Sequence, residues 1–232
     1  VDFYKEIIKI YNDIDTELKE KSKQTTFSER FHDYLVFEPR LKKYSSEIDL
    51  LSKIRNLIAH NNKTSESIEV KQELVIIGKE VLNILNNPII ANNLGTKIEE
   101  LYFVTLNTKV NYVIEYMRKK RFSFVPILDQ NNKLIGVFSS DVLLNILSKK
   151  IYLFDNKELL FKNIIEFVDI NNHTNEKFSI ISNDTTLLQI TKMFNNSYKS
   201  DKQLGAIFVT KNGAQNESIF SMITPWDIIR NK

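Results

Sequence analysis

The 232-residue chain contains no cysteine. Disulfides and thiolate metal sites are therefore excluded, and a reducing interior is compatible with the composition. No apolar run approaches the ~20 residues that a membrane-spanning helix needs; "LVIIG" at 74–78 is among the longest. The opening stretch, "VDFYKEIIKIYNDIDTELKEK", is amphipathic and charged and has no signal-peptide pattern. Together these absences predict a soluble, cytoplasmic protein with no membrane partner. Because the sequence begins with Val rather than Met, it reads as a piece of a longer chain. Only three histidines occur, and there is no HxxH or DxD cluster, which argues against a metal site. A net charge of +3 permits contact with a phosphate backbone but does not argue for it, since strong nucleic-acid binders usually show a clustered basic face.

Glycine (five) and proline (four) are scarce, and their placement divides the chain. Residues 1–87 hold only Gly78 and Pro39, and helical periodicity dominates there. Phe3, Ile7, Ile10, Tyr11, Ile14 and Leu18 recur at spacings of three and four, the mark of an amphipathic helix. Similar runs predict helices over about 27–37, 46–60 and 67–86. Ser46 with Asp49 resembles a capping box at the start of the third. "NNP" at 86–88 closes the fourth, since proline cannot continue it. From about 98 the texture changes to β-branched runs, at 122–128, 133–139, 204–210 and 217–224. "DQNN" and "KNGAQN" supply the turns between them. Each hairpin follows a helix (110–120 and 186–195) and precedes another (141–148 and 225 onward). A unit repeated roughly 80 residues apart implies two similar modules packed about a pseudo-twofold axis. The predicted class is α+β: an all-α bundle at 1–90, then a repeat pair over 98–232, with copies at about 98–150 and 163–232.

The residues of the repeat, "NTKVNYVIEYMRKKRFSFVPILDQNNKLIGVFSSDVLLNIL" and "SNDTTLLQITKMFNN…LGAIFVTKNGAQNESIFSMITPWDIIR", resemble the CBS domain pair, or Bateman module, built from βαββα repeats. In that family the last strand ends in glycine, two apolar residues and Ser or Thr, with an Asp three positions further on. The second copy keeps Thr224 and Asp227 at this spacing, with Ser221 in place of the glycine. A strand-end Thr can bond a phosphate, and an Asp in the first helical turn can accept two ribose hydroxyls. The resemblance implies an adenine-nucleotide pocket (ATP, ADP, AMP or a cyclic dinucleotide as regulatory ligand), with Asp184 and Thr185 near its other wall. In the first copy Asp141 follows Gly136 by five rather than six positions. Ser139 and Ser140 cannot both keep the family geometry toward Asp141, so this site is expected to be altered or empty. Ser, Thr and Asp also start helices as caps, so the residue types by themselves leave both readings open.

In the helical part, "LLSKIRNLIAHNNK" (50–63) ends a helix with Arg55, Asn56 and His60. With ~100° per residue and Leu51 at zero, Leu50, Ile54, Leu57 and Ile58 form an arc predicted to face the core. Arg55, Asn56 and His60 then fall near roughly 40°, 140° and 180°, on one flank with small Ala59 and Ser52 in its middle. Asn56 and His60, four apart, are neighbours able to hydrogen bond. "IRNLIAHN" resembles the arginine–polar–histidine motif of the HEPN superfamily of small helical domains. That resemblance implies a homodimer and a metal-independent endoribonuclease with no catalytic cofactor: Arg55 on the scissile phosphate of an RNA substrate, His60 for proton transfer or phosphate contact, Asn56 as an orienting group. RNA supplies its own nucleophile in the 2′-hydroxyl, so a titratable imidazole and a planar cation suffice chemically. Arg and His near a helix C-terminus also complement its dipole. The expected protein is a sensor–effector in which the nucleotide alters how two protomers face each other, and the resemblance points to stress or phage defence. Its alternatives are a non-catalytic dimeric regulatory module and an effector that acts on a nucleotide.

Overall fold

The computed structural model describes residues 3–60, 72–149 and 159–230. Residues 67–71 of the expected fourth helix lie outside them. The chain divides into two compact units between Ile89 and Ile90.

The first unit is helical. Its elements are α1 (Phe3–Lys21), α2 (Phe27–Tyr34), a 3-10 turn over Pro39–Tyr44, α3 (Ser45–His60) and α4 (Gln72–Asn86). α1 buries Ile7, Ile10, Tyr11, Ile14 and Leu18, the stripe that its periodicity prescribes. α2 starts on a reciprocal cap: Thr26 Oγ1 accepts the Glu29 amide at 3.3 Å, and Glu29 Oε2 accepts the Thr26 amide at 3.1 Å. Glu38 is fully buried and is held by the fork of Arg40, at 2.6 and 2.7 Å. Burial and the neighbouring Glu38 push the Tyr34 phenol up to about 12.

Two details of α3 differ from expectation. Ser46 and Asp49 do not cap it, because the 3-10 turn runs straight into the helix. Ser45 Oγ instead donates to Lys42 O, while Asp49 accepts from Ser28 Oγ at 2.7 Å. The core arc is also rotated. Ile48, Leu51 and Ile54 are buried, whereas Leu50 and Leu57 are each about half exposed. The buried stripe centres on Leu51, so Arg55 is carried toward the bundle and the two leucines are left outside.

The second unit is mixed α+β. Its elements are β1 (Thr96–Lys97), α5 (Val110–Lys120), β2 (Phe124–Leu128), β3 (Leu134–Ser139), α6 (Ser140–Ser148), α7 (Ile165–Val168), β4 (Glu176–Ser182), α8 (Leu187–Ser197), β5 (Gln203–Thr210), β6 (Ser221–Ile223) and α9 (Pro225–Arg230). One sheet runs β1-β6-β5-β4, and β2-β3 form an antiparallel hairpin. The repeat is visible in the pairing. In the second copy β4 lies parallel to β5, and β5 pairs antiparallel with β6. In the first copy a parallel bridge joins Val104 to Ile127, and β2 pairs antiparallel with β3. β6 is shorter than the expected 217–224 because the Glu217 carboxylate gathers the amides of Asn212 and Ala214 into a loop.

Each copy is completed by the lead-in segment of the other. Ahead of the first copy, Ala91 N donates to Thr185 O at 2.7 Å, Ile98 N donates to Phe220 O at 2.9 Å, and β1 pairs with β6. Ahead of the second, Phe161 N donates to Thr108 O and Lys162 N to Leu106 O. There α7 presses its backbone onto β3: a Cβ added at Gly136 would sit 2.4 Å from Val168 O. Only glycine allows that approach. The core of the first copy joins Val113, Ile127, Phe138 and Ile146 to Phe161 and Val168 from the exchanged segment. Neither copy has a complete core without its neighbour.

Candidate functional site

A cleft of about 710 Å³ opens in the second unit. Thr224 and Asp227 lie on it. Thr224 is the last residue before Pro225, which opens α9, and Asp227 is the third residue of that helix. From the third helical position a carboxylate can reach back to the cap. Asp227 Oδ2 accepts both the amide and the hydroxyl of Thr224, each at 2.7 Å. The two residues thus form one polar corner at the end of β6.

The rest of the wall mixes cations, acids and rings, and Asn175 and Glu176, which contact the first-copy corner, also line it. Lys120 and Arg121, at the end of α5, contribute the cations, and Thr96 and Glu100 come from the lead-in segment. Arg121 takes a left-handed conformation (φ 58°), which turns the chain from α5 into β2. Phe122, Tyr198 and Trp226 also line the cleft, with Trp226 69% exposed. Cations plus accessible ring faces suit a ligand that carries both an anionic group and a flat ring. Nothing local in the sequence placed Lys120 and Arg121 on one cleft with Thr224. Asp184 and Thr185 sit in the turn between β4 and α8, where Thr185 O accepts the Ala91 amide. They are not among the residues of this cleft.

In the first copy the corresponding corner is filled. Ser139 is fully buried, caps α6 by accepting the Val142 amide at 3.2 Å, and donates to Glu176 Oε1. Glu176 Oε1 also meets His173 Nδ1 at 2.9 Å, and His173 Nε2 faces Val168 O at 3.4 Å. His173, 2% exposed, packs edge-on against Phe178. Asp141 accepts Thr174 Oγ1 on one oxygen at 3.1 Å and Asn175 Nδ2 on the other at 2.6 Å. The run 173–176 carried no signal in the sequence, where His173 stood as an isolated histidine. Among the described residues no group of acids and histidines could hold a metal ion.

In the helical unit, Arg55 is half-buried and lies over the Tyr11 ring at 5.1 Å. Its Nη1 donates to Asn56 Oδ1 at 3.2 Å, and Asn56 is exposed. Arg55 and Asn56 are therefore in contact, but Arg55 sits on the bundle side of the flank rather than in the open. His60 ends α3, and its side chain lies outside the described residues.

A parallel bridge, a helix, an antiparallel hairpin and a closing helix, repeated with exchanged lead-in segments, define a paired α+β module. The family model of the CBS domain matches residues 96–149, and the chain carries a CBS domain there. No curated protein matches the chain. Similar solved structures include a putative acetoin utilization protein (AcuB) from Vibrio cholerae, 18% identical over 62% of this chain and 90% of that one, with TM-score 0.45. CBSX2 in complex with AMP is 15% identical over 62% of this chain and 95% of that one, with TM-score 0.45. CbpB in complex with c-di-AMP is 17% identical over 61% and 83%, with TM-score 0.46. Among the described residues no helix is long and apolar enough to cross a membrane.

Proposed function

We propose that the second unit binds an adenine nucleotide in the cleft at Thr224 and Asp227 and that the helical unit is the output it regulates. The observation that carries the first half is that Thr224 and Asp227 line one cleft together with Lys120 and Arg121. The Asp227 carboxylate accepts ribose hydroxyls, the Thr224 hydroxyl turns its proton from Asp227 to a phosphate oxygen, and the two cations neutralise the phosphate charge. Asp184 and Thr185 belong to the resemblance-based site and contribute only if the turn that carries them moves to the ligand. Calorimetry with ATP, ADP, AMP and a cyclic dinucleotide tests this: at least one binds, and no binding by any of the four contradicts the sensor reading.

For the output we propose metal-independent RNA cleavage by a homodimer, with Arg55 contacting phosphate, Asn56 orienting and His60 moving the proton. The adjacency of Arg55 and Asn56 supports it. The non-catalytic dimeric regulator is favoured by one observation, the Arg55 guanidinium resting on Tyr11, which gives that residue a packing role. Cleavage of a mixed RNA substrate in EDTA, lost in His60→Ala, supports the nuclease. No cleavage by the wild type, or equal cleavage by the variant, supports the regulator. Regulation requires that the nucleotide bind the two states of the dimer with different affinity.

A further inference from the structure

The polar groups of the first-copy corner are engaged from within the chain, and the pattern of donors and acceptors is specific. Asp141 receives two donors, one on each carboxylate oxygen: a hydroxyl from Thr174 and an amide from Asn175. Ser139, at the strand end, donates its hydroxyl to an anion, the Glu176 carboxylate. Two donors on the aspartate and an anion on the strand-end hydroxyl are what a ribose diol and a phosphate would present to the same pair.

We infer that residues 173–176 are an internal occupant of the first-copy site, standing in for the sugar and phosphate of a nucleotide, and that the chain therefore takes one nucleotide, at the second copy. This rests on the nucleotide reading of the Thr224–Asp227 corner. The occupant is built in rather than draped over. His173 is buried beneath it and bonds Glu176, and Lys202 Nζ donates to His173 O. Glu176 also opens β4, with its register set opposite Gln203 on β5. Displacing it would strand a buried imidazole and a carboxylate that share one contact, and would break the start of the parallel ladder. A competing nucleotide would have to replace all of these bonds.

The test uses the full chain, titrated calorimetrically with AMP and with ATP, together with hydrogen exchange of peptides spanning 139–142 and 173–176. Expected are one nucleotide per chain, affinity changed less than twofold by Asp141→Ala, and exchange at 139–142 already slow without nucleotide and not slowed further by it. Thr174→Ala with Asn175→Ala speeds that exchange at least tenfold, while exchange in β5 stays at the wild-type rate and so reports an intact fold. Glu176→Gln, which keeps size but removes the anion, should act in the same direction. Two nucleotides per wild-type chain, with one lost in Asp141→Ala, overturn the inference. So does nucleotide-dependent slowing at 139–142. If neither nucleotide binds at all, the sensor reading fails, and the exchange comparison alone decides the occupant: faster exchange in the double variant supports it, and unchanged exchange overturns it.

Discussion

The two copies of the repeat differ by one residue at a single corner, and their chemistry diverges from there. In the second copy Asp227 stands three positions after Thr224, at the third residue of its helix, and its carboxylate closes back onto the Thr224 amide and hydroxyl. In the first, Asp141 stands two positions after Ser139, at the second residue of α6. One residue fewer rotates a helical side chain by ~100°. Asp141 therefore turns away from the cap and takes Thr174 and Asn175, while Ser139 takes Glu176. A deletion that would count as a lost motif in a sequence goes in the structure with a set of internal contacts to Thr174, Asn175 and Glu176.

The largest expected effect breaks the first copy's corner. His173→Ala removes a buried ring and its hydrogen bond to the carboxylate that Ser139 also contacts, and losing the packing together with the bond costs about 3 kcal/mol. Urea unfolding of the full chain should show that loss, in the transition of the second unit. Phe178, beside His173, loses a ring contact as well.

The next pair of variants sharpens the comparison, because equivalent positions should respond with opposite sign. Gly136 lies under α7, and the Cβ of Gly136→Ala would press on Val168 O. The forced backbone shift should destabilise by about 2 kcal/mol. At the corresponding place in the second copy, Ser221 is fully buried, and its hydroxyl has no partner among the described residues. Ser221→Ala removes an unsatisfied buried hydroxyl and should stabilise by about 1 kcal/mol. Denaturation midpoints of the two variants, read against the wild type, check both signs.

The smallest effect compares the hairpin tips. In the first copy Asp129 Oδ1 accepts the Asn131 and Lys133 amides, at 2.7 and 2.8 Å. In the second, Glu217 does the corresponding work, and the Asn212 amide and side chain hold its carboxyl down from 4.5 to about 2. A depressed carboxyl stabilises the folded state in full above the ordinary glutamate value and loses that contribution as pH falls through the depressed one. The wild type should therefore lose a small increment of stability between about pH 4.5 and 2 that Glu217→Gln lacks. Stability of the two proteins measured across that range checks it.

Much of this architecture was legible in the sequence. The stripe of α1 and the apolar runs that became β2, β3 and β5 are local patterns, and local patterns survive folding. What could not be read depends on contacts between distant segments. Whether Leu50 or Leu51 faces inward on α3 is decided by which side the neighbouring helices approach, and the structure chose Leu51, which carried Arg55 onto Tyr11. The exchange of lead-in segments pairs Lys109 with Leu160 and Thr96 with Met222, separations no periodicity reports. The altered spacing at Asp141 was visible, but the residues that contact this corner, His173 to Glu176, were not.

The central claim is that the corner at Thr224 and Asp227 binds the nucleotide and the one at Ser139 and Asp141, held by residues 174–176, does not. Its most direct test is calorimetric titration of the Asp227→Ala and Asp141→Ala variants side by side with whichever adenine nucleotide the wild type binds. Losing charge-assisted bonds worth about 1.5–3 kcal/mol should weaken binding by roughly 10–100-fold in Asp227→Ala, with Asp141→Ala matching the wild type. Equal losses in the two variants, or a loss confined to Asp141→Ala, would contradict the account.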